Sequence, residues 1–196
     1  SLGFYGGGGI DSRHPFGGNL ISTALSGGMF GGANWGAEYK ESLQHLFTHS
    51  CSFDGHTTSL PLSTNNVTLD PTVKDVWGRP AIRVTYNEHP DDLATMKFFL
   101  DRSLELMDAA GATQMEGFVD ENSPWTQHLL GTCRMGNDPE TSVVDRYNRS
   151  HDIPNLFMCD GSSMVSSSRG QPTITIMALA FRAADLIIQS ARRGEI

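Results

Sequence analysis

The stretch from Asn155 to Ser190 constrains the fold more than any other part of the chain. Leu156-Phe157-Met158-Cys159 is a short apolar run closed by Asp160-Gly161. Such a run reads as a buried strand of the kind found in parallel sheets. A Ser-rich loop, Ser162 to Ser168, follows. Pro172, a residue suited to a helix's first turn, then opens an apolar helix. It runs through Ile174, Ile176, Met177, Leu179, Ala180, Ala183, Leu186 and Ile187 to about Ser190. The junction of strand and helix is where open α/β folds bind anionic or polar cofactors. An ordinary strand–helix connection has the same pattern, and on the residues alone both readings stand.

Upstream, His89-Pro90-Asp91-Asp92 supplies a stop and an N-cap. Leu93, Met96, Phe99, Leu100, Leu104 and Met107 then keep helical spacing over 91–110, and Gly111 closes the helix. Residues 66–86 read as an antiparallel hairpin. Val67 and Leu69, then Ile82, Val84 and Tyr86, alternate with polar neighbours, and Asp70-Pro71 and Trp77-Gly78-Arg79-Pro80 supply turn chemistry. A helix over 37–50 would put Tyr39, Leu43, Leu46 and Phe47 on one face. It carries His45 and His49 four apart, a ligand spacing without the Glu of the zincin motif, and no metal is expected. Residues 112–154 read as mostly irregular. The front of the chain is loop-like: twelve of the 21 glycines lie between Gly3 and Gly36, where they permit positive φ or close approach of another backbone.

Composition excludes some functions. Fourteen Lys+Arg against 22 Asp+Glu give a formal charge of −8, which argues against a phosphate-backbone binder, so no nucleic-acid partner is expected. No run approaches the roughly 18–20 uninterrupted apolar residues of a membrane span. No signal peptide is visible at the start, which favours a cytoplasmic location. Cys51, Cys133 and Cys159 are too few and scattered for a disulfide framework, and each is expected to be a small buried hydrophobe.

Two segments are too specific for generic loop. One is His128-Leu129-Leu130-Gly131-Thr132-Cys133-Arg134-Met135-Gly136, continuing to Ser142-Val143-Val144-Asp145. The other runs from Pro154 to Ser162 and on into Gly170-Gln171-Pro172-Thr173 and the last helix. Together they resemble the C-terminal signature of the glucose–methanol–choline (GMC) family of FAD oxidoreductases, and the similarity reads from about Asn66 to Ile188. The resemblance implies an α/β (α+β) fold: an antiparallel substrate-side sheet with helices, plus the strand and helix that complete the FAD-binding domain. It divides the chain into a Gly-rich loop and helix segment (1–65), a substrate-domain sheet and helix (66–127), and a catalytic His segment with the C-terminal FAD-domain strand and helix (128–196).

The resemblance also implies a reaction. A base takes the hydroxyl proton of a CH–OH group, in a sugar, polyol or other alcohol, while hydride goes to flavin N5. His128, separated by two residues from Gly131-Thr132-Cys133, occupies the place of the family's catalytic His. An imidazole, with an ordinary pKa near 6.5, suits a base at neutral pH. Gln171 stands where the family usually has His or Asn; it is no base in water, but it can hydrogen-bond the substrate oxygen. Arg169 is either a substrate-binding residue or a surface pair. By the same resemblance Asp160 and Gly161 touch the ribityl–pyrophosphate region of FAD, and Pro172 and Thr173 lie against the flavin ring. His151 reads as a structural residue holding a loop.

The family's strand–Gly-x-Gly-x-x-Gly–helix unit has no convincing copy in this chain. The expectation is therefore the C-terminal part of a flavoenzyme. Its partner would be an N-terminal FAD-binding chain or segment and its substrate a small alcohol or sugar, with a higher oligomer left open. The alternatives are a non-redox lyase resembling hydroxynitrile lyases and a non-catalytic binding or structural module.

Overall fold

A computed structural model of the protein describes residues 2–13, 35–119, 121, 128–166 and 169–196. Most of the Gly-rich front, 14–34, and two residues of the Ser-rich loop lie outside the described residues. The elements in chain order are β1 (Gly8–Arg13), α1 (Gly36–His49), β2 (Ser52–Thr57), β3 (Asn66–Lys74), β4 (Pro80–Thr85), α2 (Pro90–Ala109), a 3-10 turn (Gly161–Ser163) and α3 (Thr173–Arg192). The fold is mixed α/β, as expected. It divides into two compact units. One comprises the described parts of Ser1–Gly8, Thr57–Thr95 and Asp120–Ile196, the other those of Gly9–His56 and Met96–Val119.

In the second unit β1 pairs with β2. The sequence reads β1 as loop and leaves β2 unassigned. Both strands are short and glycine-bearing, and they are joined through some forty intervening residues, so local pattern carries no trace of them. Helix α1 has no buried residue; Tyr39, Leu43 and Leu46 are partly buried and Phe47 is exposed. On α2, Phe99 and Leu100 approach two glycines closely. A Cβ on Gly55 would lie 3.4 Å from the Cβ of Phe99, and one on Gly117 would lie 2.6 Å from Cδ1 of Leu100.

In the first unit the hairpin forms as the alternation predicts. Val67 faces Val84 and Leu69 faces Ile82 across an antiparallel ladder. Strand β3 continues past Asp70-Pro71, however, with a register shift between Leu69 and Lys74. Pro71 has no N–H to give the ladder and suits that break. The turn itself is tied by Asp75, whose carboxylate accepts from the N–H of Trp77 and of Arg79, both at 2.9 Å. Gly78 there has φ +78°.

The start of α2 is a capping box in which His89 takes the place of Ser or Thr. The ring Nδ1 of His89 accepts from the Asp91 N–H at 3.1 Å, and Asp92 reaches back to the His89 N–H at 3.3 Å. Asp92 also accepts from the N–H of Leu60, which ties the helix to the segment before β3. The apolar stripe read from the sequence is only half buried. The best-buried residues on α2 are Asp92, Thr95 and Ser103. Burial is tolerable for Thr95 and Ser103 because their hydroxyls donate to the carbonyls of Asp91 and Phe99 one turn back.

Two expectations need correction. Residues 156–159 form no extended strand. Phe157 makes one antiparallel bridge with Arg149, and Leu156 is exposed. A strand needs at least one continuous partner, and among the described residues this stretch finds only that single bridge. The three cysteines are free thiols, and Cys51 and Cys159 are exposed rather than buried as expected.

Buried apolar side chains are few. Among the described residues only Val144 and Ala183 are fully buried hydrophobes. The hairpin leaves Val67, Leu69, Ile82 and Val84 open on one face, with Ile82 74% exposed. Helix α3 leaves Ile174, Met177, Phe181 and Ile188 open on one side while Ala183 and Ser190 are buried on another. A helix apolar around most of its circumference is normally buried on all sides. By length and composition α3 is also long and apolar enough to cross a membrane. The uninterrupted-run criterion passes over it because Arg182 and Asp185 fall mid-helix. Arg182 reaches the carbonyl of Arg146 and lies over the ring of Tyr147.

Candidate active site

The two motif segments meet through their backbones. Gly131 donates its N–H to the carbonyl of Gly161 (3.4 Å), Cys133 to that of Ser162 (2.9 Å) and Met135 to that of Ser163 (2.9 Å). The same segment is bonded to a second stretch: Gly136 donates to Val144 (2.8 Å), and Val143 donates to Arg134 (3.0 Å). Val144 is fully buried there. The segment that follows His128 is therefore held to the Asp160-Gly161 turn and to Val143–Val144.

Local backbone conformation fits that placement. Gly131 has φ +93°, a conformation that favours glycine, and a Cβ there would stand a tight 3.3 Å from the Met164 carbonyl oxygen. His128, partly buried, has φ +62°. Positive φ is uncommon for a residue other than glycine, His adopts it more readily than most, and such conformations recur at turns and functional sites.

Asp160 is the N-cap of the 3-10 turn. Its carboxylate accepts from the Ser162 N–H at 2.8 Å. The Ser162 hydroxyl and N–H hold the carboxyl below its ordinary pKa, so it stays ionised at the surface. Gly161 is a close-approach position. A Cβ on it would lie 2.7 Å from Cδ2 of Leu130 and 3.1 Å from Cδ1 of Ile176, in the first turn of α3. Gly161 thus brings the His128 segment, the Asp160 turn and the start of α3 to one place.

Helix α3 begins without a side-chain cap. Pro172 occupies the N-cap position and offers no acceptor, and the first turn carries no acidic residue. Its leading N–H groups and the positive end of its dipole thus receive no side-chain acceptor from the cap. Gln171 and Thr173 are exposed at this end, with Pro172 partly buried between them, and Arg169 is exposed just upstream.

Other candidates lie elsewhere. His151 Nε2 is 2.9 Å from Ser142 Oγ, whose proton goes to the Asp138 carbonyl, so the imidazole donates and holds this loop. His45 and His49 stack with ring centroids 4.4 Å apart. No group of three or more metal-ligating side chains occurs among the described residues. Sequence reasoning missed Asn148 and Ser163, both fully buried behind the Asp160 turn. Only the turn residue Asn amid a polar run hints at them, and that signal is too common to single out.

Residues 61–180 match the family model described as GMC oxidoreductase. The chain belongs to the GMC oxidoreductase family. Its relatives in the family include the 2-methyl-1,2-propanediol dehydrogenase of Mycolicibacterium austroafricanum, 39% identical over 94% of this chain and 33% of that protein. The gluconate 2-dehydrogenase flavoprotein of Pantoea cypripedii is 29% identical over 88% of the chain and 30% of its own length. The fructose dehydrogenase large subunit of Gluconobacter japonicus is 31% identical over 87% and 30%. The chain thus spans about a third of the length of the GMC relatives it matches. Enzymes of this family are FAD-dependent oxidoreductases.

Proposed function

We propose that this chain supplies the catalytic His and the flavin-side turn of an FAD-dependent enzyme oxidising the CH–OH group of a polyol, sugar or other alcohol. The observation that carries the reading is the three-bond register between 131–135 and 161–163. It joins the segment that follows His128 to the Asp160-Gly161 turn, in a chain of this family.

The residues fit the flavin end of the cofactor. Gly161 lets Leu130 and Ile176 pack where a side chain would stand and so holds the turn beside the start of α3, Asp160 is an ionised acceptor at the surface, and the start of α3 lacks a capping side chain. Asp160 and Gly161 would hold the ribityl–pyrophosphate region, and Pro172 and Thr173 would lie by the ring. FAD, when bound, supplies the hydride acceptor at N5. His128 removes the substrate hydroxyl proton, Gln171 hydrogen-bonds the same oxygen, and Arg169 contacts the remaining hydroxyls. The α3 dipole favours negative charge at its N-terminus.

In this reading residues 66–127 form substrate-side structure and 128–196 complete the FAD side. The open faces of the hairpin and of α3 are covered by an N-terminal FAD-binding chain or segment. The relatives named for a diol, gluconate and fructose favour hydroxyl-rich substrates. Native purification with a visible spectrum, and mass spectrometry of every polypeptide present, tests the reading. Flavin absorbance bleached by a polyol, with an FAD-binding N-terminal region present, is expected. A colourless, monodisperse protein without that region would overturn it.

A further inference from the structure

We propose that Asn148 is a positioning residue that sets the geometry of the Asp160-Gly161 turn for FAD. The inference rests on the assignment of that turn to the cofactor. Asn148 is fully buried and lies ten to fifteen residues upstream of the groups it holds. Its Nδ2 donates to the Met158 carbonyl at 2.7 Å and to the Ser163 hydroxyl at 2.8 Å. Its own carbonyl accepts from the Met158 N–H at 2.8 Å. The Ser163 hydroxyl, itself fully buried, donates onward to the Asp160 carbonyl at 3.1 Å. One amide thus clamps both ends of the Met158–Ser163 stretch, with Asp160 and Gly161 between the clamps.

The chemistry selects asparagine. Both amide hydrogens are used, one against a carbonyl that can only accept. Aspartate would set a buried carboxylate against that carbonyl oxygen with no donor to meet it. The backbone at 148 has φ +66°, a conformation asparagine tolerates better than most residues. The Oδ1 atom is buried without a hydrogen-bond partner. The amide therefore carries an unsatisfied acceptor as the cost of placing its two donors. Such a cost is easier to understand where the turn it fixes has a ligand to meet than where the residue serves packing alone.

The test uses the FAD-loaded flavoprotein and its FAD-depleted form, titrated with FAD and followed by flavin fluorescence well below the melting temperature. Asn148→Gly keeps the positive φ and removes both donors. Ser163→Ala removes the second clamp, and Asp160→Ala removes the acceptor. The proposal expects Asn148→Gly to weaken FAD binding at least tenfold and Ser163→Ala several-fold. Amide exchange at 160–163 should be faster in both. Variants that melt lower yet bind FAD within twofold of wild type would reduce Asn148 to a structural role and overturn the proposal. If Asp160→Ala also binds FAD normally, the turn's assignment to FAD fails and the proposal falls with it. If Asp160→Ala weakens binding while Asn148→Gly and Ser163→Ala do not, the positioning role alone is refuted.

Discussion

The amide of Cys133 donates to the carbonyl of Ser162 at 2.9 Å. It is the middle rung of a short ladder that begins at Gly131 and ends at Met135. Gly131→Ala should weaken the first rung, because an L side chain is strained at φ +93° and its Cβ would stand 3.3 Å from the Met164 carbonyl oxygen. We expect a loss of about 1–3 kcal/mol in denaturant unfolding of the flavoprotein, with a lower rate of flavin reduction from the displaced His128. An unchanged midpoint would mean the segment adapts freely.

The hairpin's open face makes a separate prediction. Ile82 and Leu69 face each other and are 74% and 67% exposed. If the rest of the flavoprotein covers them, Ile82→Asn should cost the assembled protein about 1–3 kcal/mol. A surface residue would cost less than about 0.5 kcal/mol. Thermal unfolding of the two assembled proteins separates these outcomes.

Asp70 predicts acid sensitivity in the same hairpin. Its carboxylate accepts from the N–H of Val73 and of Thr72 and pairs with Arg83 at 3.0 Å. Chiefly through the two N–H bonds, its pKa falls to about 2. A depressed folded value adds stability above the unfolded pKa and loses it as pH falls from 3.8 towards 2. Asp70→Asn keeps an acceptor oxygen but not the charge. Amide exchange of the hairpin between pH 5 and 2 should therefore steepen in wild type and stay flatter in the variant.

Glu88 works in the opposite sense. Burial raises its pKa above 4.5, and its Oε2 is buried without a hydrogen-bond partner. The folded form then holds its proton more tightly than the unfolded chain. That contribution is present below pH 4.5 and is lost as pH rises through the raised value. Glu88→Gln keeps an acceptor for the Tyr86 hydroxyl, 3.1 Å from Oε1, and should melt higher than wild type at pH 7 but not at pH 4.

Helix α3 and the hairpin were legible from the spacing of their apolar residues, although many of those residues are exposed within this chain, and Pro172 and Gly78 mark where each element begins or turns. The polar interior of α2 was not. A count of apolar residues overlooks Thr95 and Ser103, whose hydroxyls are satisfied by carbonyls one turn back. The β1–β2 pair was hidden by sequence distance. Residues 156–159 carry a strand's composition, but a strand requires partners, and the described part of the chain offers one bridge. At the site, the motifs marked the segment beginning at His128 and the Asp160 turn. The clamp behind them depends on Asn148 and Ser163, fifteen residues apart and unremarkable as letters.

The most direct test of the account is the rate at which an alcohol substrate bleaches the flavin in His128→Ala, followed anaerobically in a single turnover. With His128 as the base, FAD stays bound in the variant and the rate drops about 10²–10⁴-fold. Bleaching at the wild-type rate, with FAD bound, would contradict the assignment of His128 as the base.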